Sequence, residues 1–273
     1  MGNLVWLASY PKSGNTWLRA FLHNYIAEPA APYSINALAD FSAVECAAAF
    51  FRPHTAKPVA ALSPAEVQAL RPAVHRELTK LHPDLVFVKT HNANLALYGT
   101  AFCTPSVTAG AIVVVRDPRD VALSYAAYTG LSVDETIAFM GKNGAANLGT
   151  DIQVFELLSS WSMHVASWTQ QRKFLALRFE DMVADPQATF ARVISYLGND
   201  DNPARLARAI AFSRFDVLAA QEQRDGYAAH APGARGQFFR RGQAALWKTA
   251  LSAAQIKRIE TDHAEMMRRF SYL

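Results

Sequence analysis

The 273-residue chain predicts an α/β fold, a mostly parallel sheet flanked by helices in a single domain, and three observations carry that prediction. Short apolar runs of strand length alternate along the chain with longer stretches of helical periodicity. The runs 85–88 and 111–115 are apolar throughout, as strands covered on both faces are. Glycine-containing turns and charged residues stand directly after these runs, where the carboxyl ends of parallel strands would present them.

The elements follow in order. Residues 4–9 read as a buried strand, Tyr10 to Gly14 as a tight turn, and 16–26 as a helix. The Ala- and Pro-rich stretch 28–62 lacks periodicity and reads as loops and short helices outside the main sheet. Ser63, Pro64 and Glu66 form a capping box with proline at the first helical position, and Val67, Leu70, Val74, Leu78 and Leu81 follow at helical spacing. Residues 85–89 form the second strand, ending in Thr90 and His91, and 111–115 the third, ending in Arg116. Asp117 caps the next helix, with Pro118 at its first position, and the helix reaches about Thr129. The four glycines within 130–150 mark a mobile connection. A helix over 161–171 leads into a fourth strand, 174–179, and helices dominate thereafter. Residues 226–242 are the exception, with the glycine and charge content of a flexible loop inside one domain that spans 1–273.

Composition narrows the function. With 51% hydrophobic and 18% charged residues the chain has enough apolar material for a large core, and its apolar runs fall far short of the roughly 20 residues a membrane helix needs. No membrane span is expected. Two cysteines, Cys46 and Cys103, are too few for a disulfide framework, so a reducing cytoplasm is the expected compartment. The net charge of +4 is unevenly spread: residues 1–171 hold 11 basic and 12 acidic side chains, and 172–273 hold 16 and 11. An excess of that kind suits a phosphate-bearing small molecule, an anionic surface or a nucleic acid.

Four constellations carry chemistry. In Lys12-Ser13-Gly14-Asn15-Thr16-Trp17, a loop entering a helix after a strand aims backbone N–H groups at one point, a cradle for a phosphate with a lysine attached. The G-x-x-x-x-G-K-[ST] pattern of nucleoside-triphosphate loops is absent. Lys89 and His91 end the second strand on the same rim, where a histidine can serve as a general base near neutral pH. Arg116, Arg119 and Ser124 surround a helix start that forms a second anion site, unless Asp117 and Asp120 absorb the arginines in ion pairs. Arg240, Arg241 and Gly242, followed by Trp247 and Lys248, suit a loop that wraps a phosphate. Two phosphate sites on one rim point to a ligand with phosphates at both ends.

Taken together, these segments resemble the cytosolic-type sulfotransferase family, whose members use 3′-phosphoadenosine 5′-phosphosulfate (PAPS). The resemblance runs the length of the chain with its motifs in family order. It implies a P-loop-like sheet and transfer of a sulfuryl group from PAPS to a hydroxyl of a small-molecule acceptor, leaving 3′,5′-diphosphoadenosine (PAP). By that resemblance Lys12 binds the bridging oxygen and 5′-phosphate within the loop 12–17. Lys89 neutralises the moving sulfuryl group, and His91 takes the acceptor's proton. Arg116, Ser124, Arg240, Arg241 and Gly242 hold the 3′-phosphate, while Trp17, Ser213 and Phe215 hold the adenine. Ser213 stands where the family usually has threonine, and Phe179 where it commonly has tyrosine. Ala245 and Leu246 replace the usual glycine and aspartate before Trp247, and Ser252, Ala253 and Lys257 depart from the family's dimerisation motif. The 19 Arg against 8 Lys point to a GC-rich bacterial gene.

The singly charged sulfuryl group needs less neutralisation than a terminal phosphate, and no carboxylate pair suited to a metal stands beside the first loop, so a metal-independent reaction is expected. Residues 28–62, 92–105, 128–150 and 226–240 are expected to build the acceptor pocket, with Phe50, Phe51 and Tyr128 as candidate lining. Two other readings are compatible with the sequence. A nucleotide kinase or NTPase would need a triphosphate loop and metal-holding residues; a non-catalytic protein binding RNA or an anionic surface would use the basic C-terminal part, which carries no recognisable nucleic-acid motif.

Overall fold

The computed structural model describes residues 2–199, 202–228, 237–239 and 242–273. Five parallel strands form the main sheet: β1 (Asn3–Ser9), β2 (Ser42–Val44), β3 (Leu85–Thr90), β4 (Thr108–Val115) and β5 (Leu175–Arg178), in spatial order β2-β3-β1-β4-β5. β1 is central because both its faces are apolar. Leu4, Trp6 and Ala8 point into one core while Val5 and Leu7 point into the other. β4 repeats the device, with Ala111, Val113 and Val115 on the first face and Ile112 and Val114 on the second.

Helices cover each face. On the Val5 side lies α1 (Asn15–Ala27), through Leu18, Phe21, Leu22 and Tyr25, joined by α6 (Pro186–Tyr196) and α7 (Pro203–Phe212). On the Trp6 side lie α2 (Pro64–Leu78), α5 (Trp161–Thr169) and α9 (Ala253–Arg269), with Trp161 and Trp168 fully buried. Each such fully buried large apolar side chain contributes about 1.5–3 kcal/mol relative to exposure. No helix among the described residues is long and apolar enough to cross a membrane.

Four local expectations need correction. The stretch 28–62 lies partly inside the sheet, since Ser42–Val44 is its edge strand, pairing with Phe87 to Lys89. Three residues are too short to show a period of two. The stretch 130–150 is not a bare connection. Ser132 and Glu135 form a capping box that starts α4 (Val133–Gly141), and Ala146–Asn147 pairs antiparallel with Glu156–Leu157. α2 ends at Leu78, leaving Leu81 outside it and 57% exposed. Phe179 belongs to the short helix Phe179–Ala184 that follows β5, not to the strand.

The order β2-β3-β1-β4-β5 fixes where a ligand sits. The chain leaves β1 toward β2 on one side and leaves β4 toward β5 on the other, so the two loops diverge. They open a crevice beyond the carboxyl ends of the adjacent strands β1 and β4.

Candidate active site

The loop from Tyr10 to Gly14 enters α1 by two backbone turns of positive φ, +65° at Lys12 and +111° at Gly14. A Cβ at Gly14 would lie 2.8 Å from the Phe179 ring, so only glycine fits there. Gly14 is the N-cap of α1 and supplies no side-chain cap, which leaves the first-turn N–H groups facing an anion site at the positive end of the helix dipole. Asn15 pins the turn to the sheet by donating Nδ2–H to the Leu7 carbonyl at 2.8 Å. Lys12 holds its Nζ 3.5 Å from the centre of the Phe238 ring and 4.7 Å from that of Tyr128.

The loop after β4 meets this cradle. Arg116 is 8% exposed and donates to the Lys12 carbonyl at 3.1 Å and to the Gln243 carbonyl at 3.0 Å, with its guanidinium 4.3 Å from the Phe179 ring centre. It thereby joins the first phosphate loop to the C-terminal segment. Arg119 does not join it. Asp117 takes its guanidinium at 2.7 Å and Glu260 at 2.6 Å, with the Trp247 ring stacked 3.7 Å away, so this arginine is a structural tie. Asp120 accepts from the N–H groups of Ala245 and Trp247 at 2.7 and 3.0 Å, and Ala245 takes a left-handed φ of +63°. Gly242, at φ +58°, lies so close against Phe215 that a Cβ would be 2.3 Å from the ring. Arg240 and Arg241 lie outside the described residues.

His91 follows β3 and is held on three sides. Its Nδ1 lies 2.8 Å from the Ser9 carbonyl, its backbone N–H donates to Glu156 Oε1 at 3.1 Å, and its carbonyl accepts from His164 Nε2 at 3.2 Å. A carbonyl only accepts, so Nδ1 carries the proton and Nε2 presents a lone pair. Burial, reinforced by the Lys89 charge, pulls the His91 pKa well below 6.5, which keeps the ring neutral at pH 7. His164, buried against Tyr10, is held neutral by burial with a pKa of about 3.

Lys12, Gly14, Asn15, Thr16 and Trp17 line one continuous cleft of about 1580 Å3. Lys89, His91, Arg116, Ser124, Phe215 and Gly242 line it too. That volume exceeds the 300–1,000 Å3 usual for one small ligand, leaving room for two side by side. Ser13 is 1% exposed and borders the turn from within. Ser213 stands apart: it is fully buried at the end of α7, where its hydroxyl donates to the Ala209 carbonyl at 2.8 Å, and it does not line the cleft. Its threonine-like role is thus taken up in closing its own helix. Nothing from 92–105 lines the cleft either, and Phe50 and Phe51 pack in the core, whereas Tyr128 does line it.

Sequence reasoning missed Glu156 and Gln243, because no spacing rule links them to the motifs they touch, whereas Phe238, which opens the Phe-Phe-Arg-Arg-Gly segment, does line the cleft. Four polar atoms at the cradle are buried without a hydrogen-bond partner among the described residues: Ser13 Oγ, Asn15 Oδ1, Trp17 Nε1 and Arg116 Nε. Buried polar atoms of this kind cost stability unless a ligand or water satisfies them. Together with the uncapped first-turn N–H groups of α1, they fit an adenosine carrying phosphates at both ends.

The comparisons with known proteins agree with this geometry. The model of the sulfotransferase domain family matches residues 3–271. Sulfotransferase 2A1 of Rattus norvegicus is 32% identical over 120 residues, covering 41% of this chain and 40% of that protein. The 3-alpha-hydroxysteroid sulfotransferase of Cavia porcellus is 25% identical over 186 residues, covering 66% and 63%. The matched stretches thus span less than two thirds of these relatives' length. Among solved structures, retinol dehydratase in a complex with retinol and PAP superposes with a TM-score of 0.64 at 19% identity, covering 97% of this chain and 81% of that one. A mouse sulfotransferase complexed with PAP gives 0.61 at 20%, covering 97% and 85%. These likenesses are of fold. The chain belongs to the sulfotransferase domain family.

Proposed function

We propose that this member of the sulfotransferase domain family is a PAPS-dependent sulfotransferase that moves the sulfuryl group onto a hydroxyl of a small-molecule acceptor. The observation that carries the reading is the single cleft that joins the Lys12 loop, Arg116 and His91, with Nδ1 of His91 committed to the Ser9 carbonyl. A relative named for a hydroxysteroid, and solved neighbours holding PAP or retinol, support the same reading.

The donor supplies a sulfuryl group already activated by its bond to a phosphate oxygen. The first-turn N–H groups of α1 and Lys12 hold the 5′-phosphosulfate end, and Lys12 stabilises the bridging oxygen as the sulfur–oxygen bond breaks. Arg116, Ser124 and Gly242, with Arg240 and Arg241, hold the 3′-phosphate, and Trp17 and Phe215 bracket the adenine. Lys89 neutralises charge on the equatorial oxygens. His91 accepts the acceptor's hydroxyl proton at Nε2 while the acceptor oxygen bonds to sulfur. The products are a sulfate ester and PAP, with the proton on His91. Positioning and charge stabilisation suffice for such a loose transition state.

Incubation with PAPS and a panel of phenols, sterols and alkanols tests the reading by following PAP release and the sulfate ester by mass spectrometry. Acceptor-dependent formation of both supports it; PAPS left intact with every acceptor counts against it.

A further inference from the structure

Charge is unevenly spread in the cleft. Among the described residues its cations, Lys12, Arg19, Lys89 and Arg116, belong to the donor side or the sheet rim, with Asp120 beside them, whereas the lining from Leu131 to Glu156 holds two carboxylates, Asp151 and Glu156, and no lysine or arginine. Glu156 is the inner one. It is 3% exposed, yet it lines the cleft beside His91. Its Oε1 accepts from the His91 backbone N–H and its Oε2 from Asn147 Nδ2, each at 3.1 Å. Both partners are neutral amides, and no cationic side chain of the described residues comes within ion-pair distance of it. Two oxygens offer about four acceptor positions, so two hydrogen bonds leave Glu156 room for a third partner. Burial first, and the Glu156 charge second, push the Tyr125 phenol, also in the cleft, above its usual pKa.

A buried carboxylate held only by neutral donors is costly, and the cost falls when a cation joins it. The lysines are no substitute, because the donor's phosphates and sulfate claim them in the reacting complex. We propose that Glu156 is a specificity-determining residue that receives a protonated amine of the acceptor, so that the enzyme's acceptors are amino alcohols. The proposal rests on the sulfuryl-transfer reading. Since Glu156 touches the His91 backbone, the amine stands only a few bonds from the reacting hydroxyl, as in a 1,2-amino alcohol. Leu131 and Ile152 line the outer cleft and are 43% and 70% exposed, apolar surface suited to a hydrocarbon tail on that acceptor.

The test compares N-octyl-2-aminoethanol with 2-(octyloxy)ethanol, near-isosteres differing in an ammonium against an ether oxygen. Binding of each to the full chain saturated with PAP is measured by calorimetry at pH 7, and kcat/KM of each with PAPS, for the wild type and for Glu156→Gln. A charged hydrogen bond in a buried site predicts a preference of tenfold or more for the amine in the wild type, collapsing toward parity in Glu156→Gln. Equal binding of the two probes by the wild type, or the same preference in both proteins, overturns the proposal, and the wild-type ratio decides even if the variant fails to fold. Failure of PAP itself to bind contradicts the donor reading instead and leaves the amine-to-ether ratio measurable on the protein alone.

Discussion

The Ser9 carbonyl, at the end of the central strand, takes the Nδ1 proton of His91 at 2.8 Å and so fixes which nitrogen of the ring can act as a base. β1 and β3 are direct neighbours, and their parallel register brings Ala8 opposite Thr90, so the contact follows from strand pairing rather than from a loop. A base built on strand ends is held more firmly than one on a mobile segment. His91→Ala is accordingly expected to lower turnover by about 10²–10⁴-fold while PAP binding stays within a factor of a few. Steady-state rates and calorimetry on the same preparation check both halves; near-normal turnover would remove His91 from the chemistry.

The pH profile carries a signed prediction. Burial and Lys89 lower the pKa of His91, so the base-competent neutral form persists below the ordinary 6.5 of histidine. kcat/KM, which reports the free enzyme, should stay flat from pH 8 down through 6.5 and fall only at more acid pH. The acid limb of kcat should lie higher than that of kcat/KM, because a bound anionic donor favours the imidazolium. An acid limb of kcat/KM centred at or above 6.5 would show that the ring is not neutralised by its surroundings.

Gly14→Ala puts a Cβ 2.8 Å from the Phe179 ring at a φ of +111°, and strain of this kind costs about 1–3 kcal/mol. The relief available is movement of the loop or of Phe179, and both face the donor. Loss of PAP affinity by tenfold or more is expected alongside a lower Tm. Unchanged affinity measured by calorimetry would show that the loop does not touch the donor.

Behind His91 lies a fully buried pair, Glu45 and Arg71, 2.8 Å apart. Glu45 also accepts from Asn92 Nδ2 at 3.0 Å, and Arg71 donates to the Phe155 carbonyl at 2.9 Å, which binds the segments on both sides of the site. Burial alone would raise the Glu45 carboxyl, but Arg71 and His75 outweigh it and hold it at about 2. Arg71→Leu leaves that carboxylate buried without its cation, at a cost of about 3–5 kcal/mol. Urea unfolding reads this directly, and a loss below about 1 kcal/mol would mean that the pair is not a stabilising junction.

Much of this was legible in the sequence, for physical reasons that differ by element. β1, β3 and β4 are buried on both faces and write themselves as apolar runs, and the first loop is visible because a strand, a glycine and a helix follow within a few residues. β2 was not legible because its three residues, Ser42 to Val44, owe their conformation to pairing with β3 rather than to any local pattern. The Ser132 and Glu135 capping box went unread among the glycines around it. Arg119 and Ser213 show the limit most plainly. Sequence placed an arginine beside two aspartates and left its choice open, and only packing of α9 and the C-terminal Tyr272 carbonyl decided for the ion pairs. Glu156 enters the site through the ribbon with Asn147, a pairing that no motif announces.

The most direct test of the central claim, a donor site for PAPS, is thermal unfolding of the full chain with PAP, ADP or 5′-AMP, without added metal. A ligand at 100 times its Kd stabilises the folded state by about 2.7 kcal/mol, which is readily seen as a rise in Tm. A clear rise is expected with PAP and much smaller ones with ADP and 5′-AMP, because only PAP reaches both phosphate loops at once. Equal shifts with all three, or none with PAP, would contradict that claim.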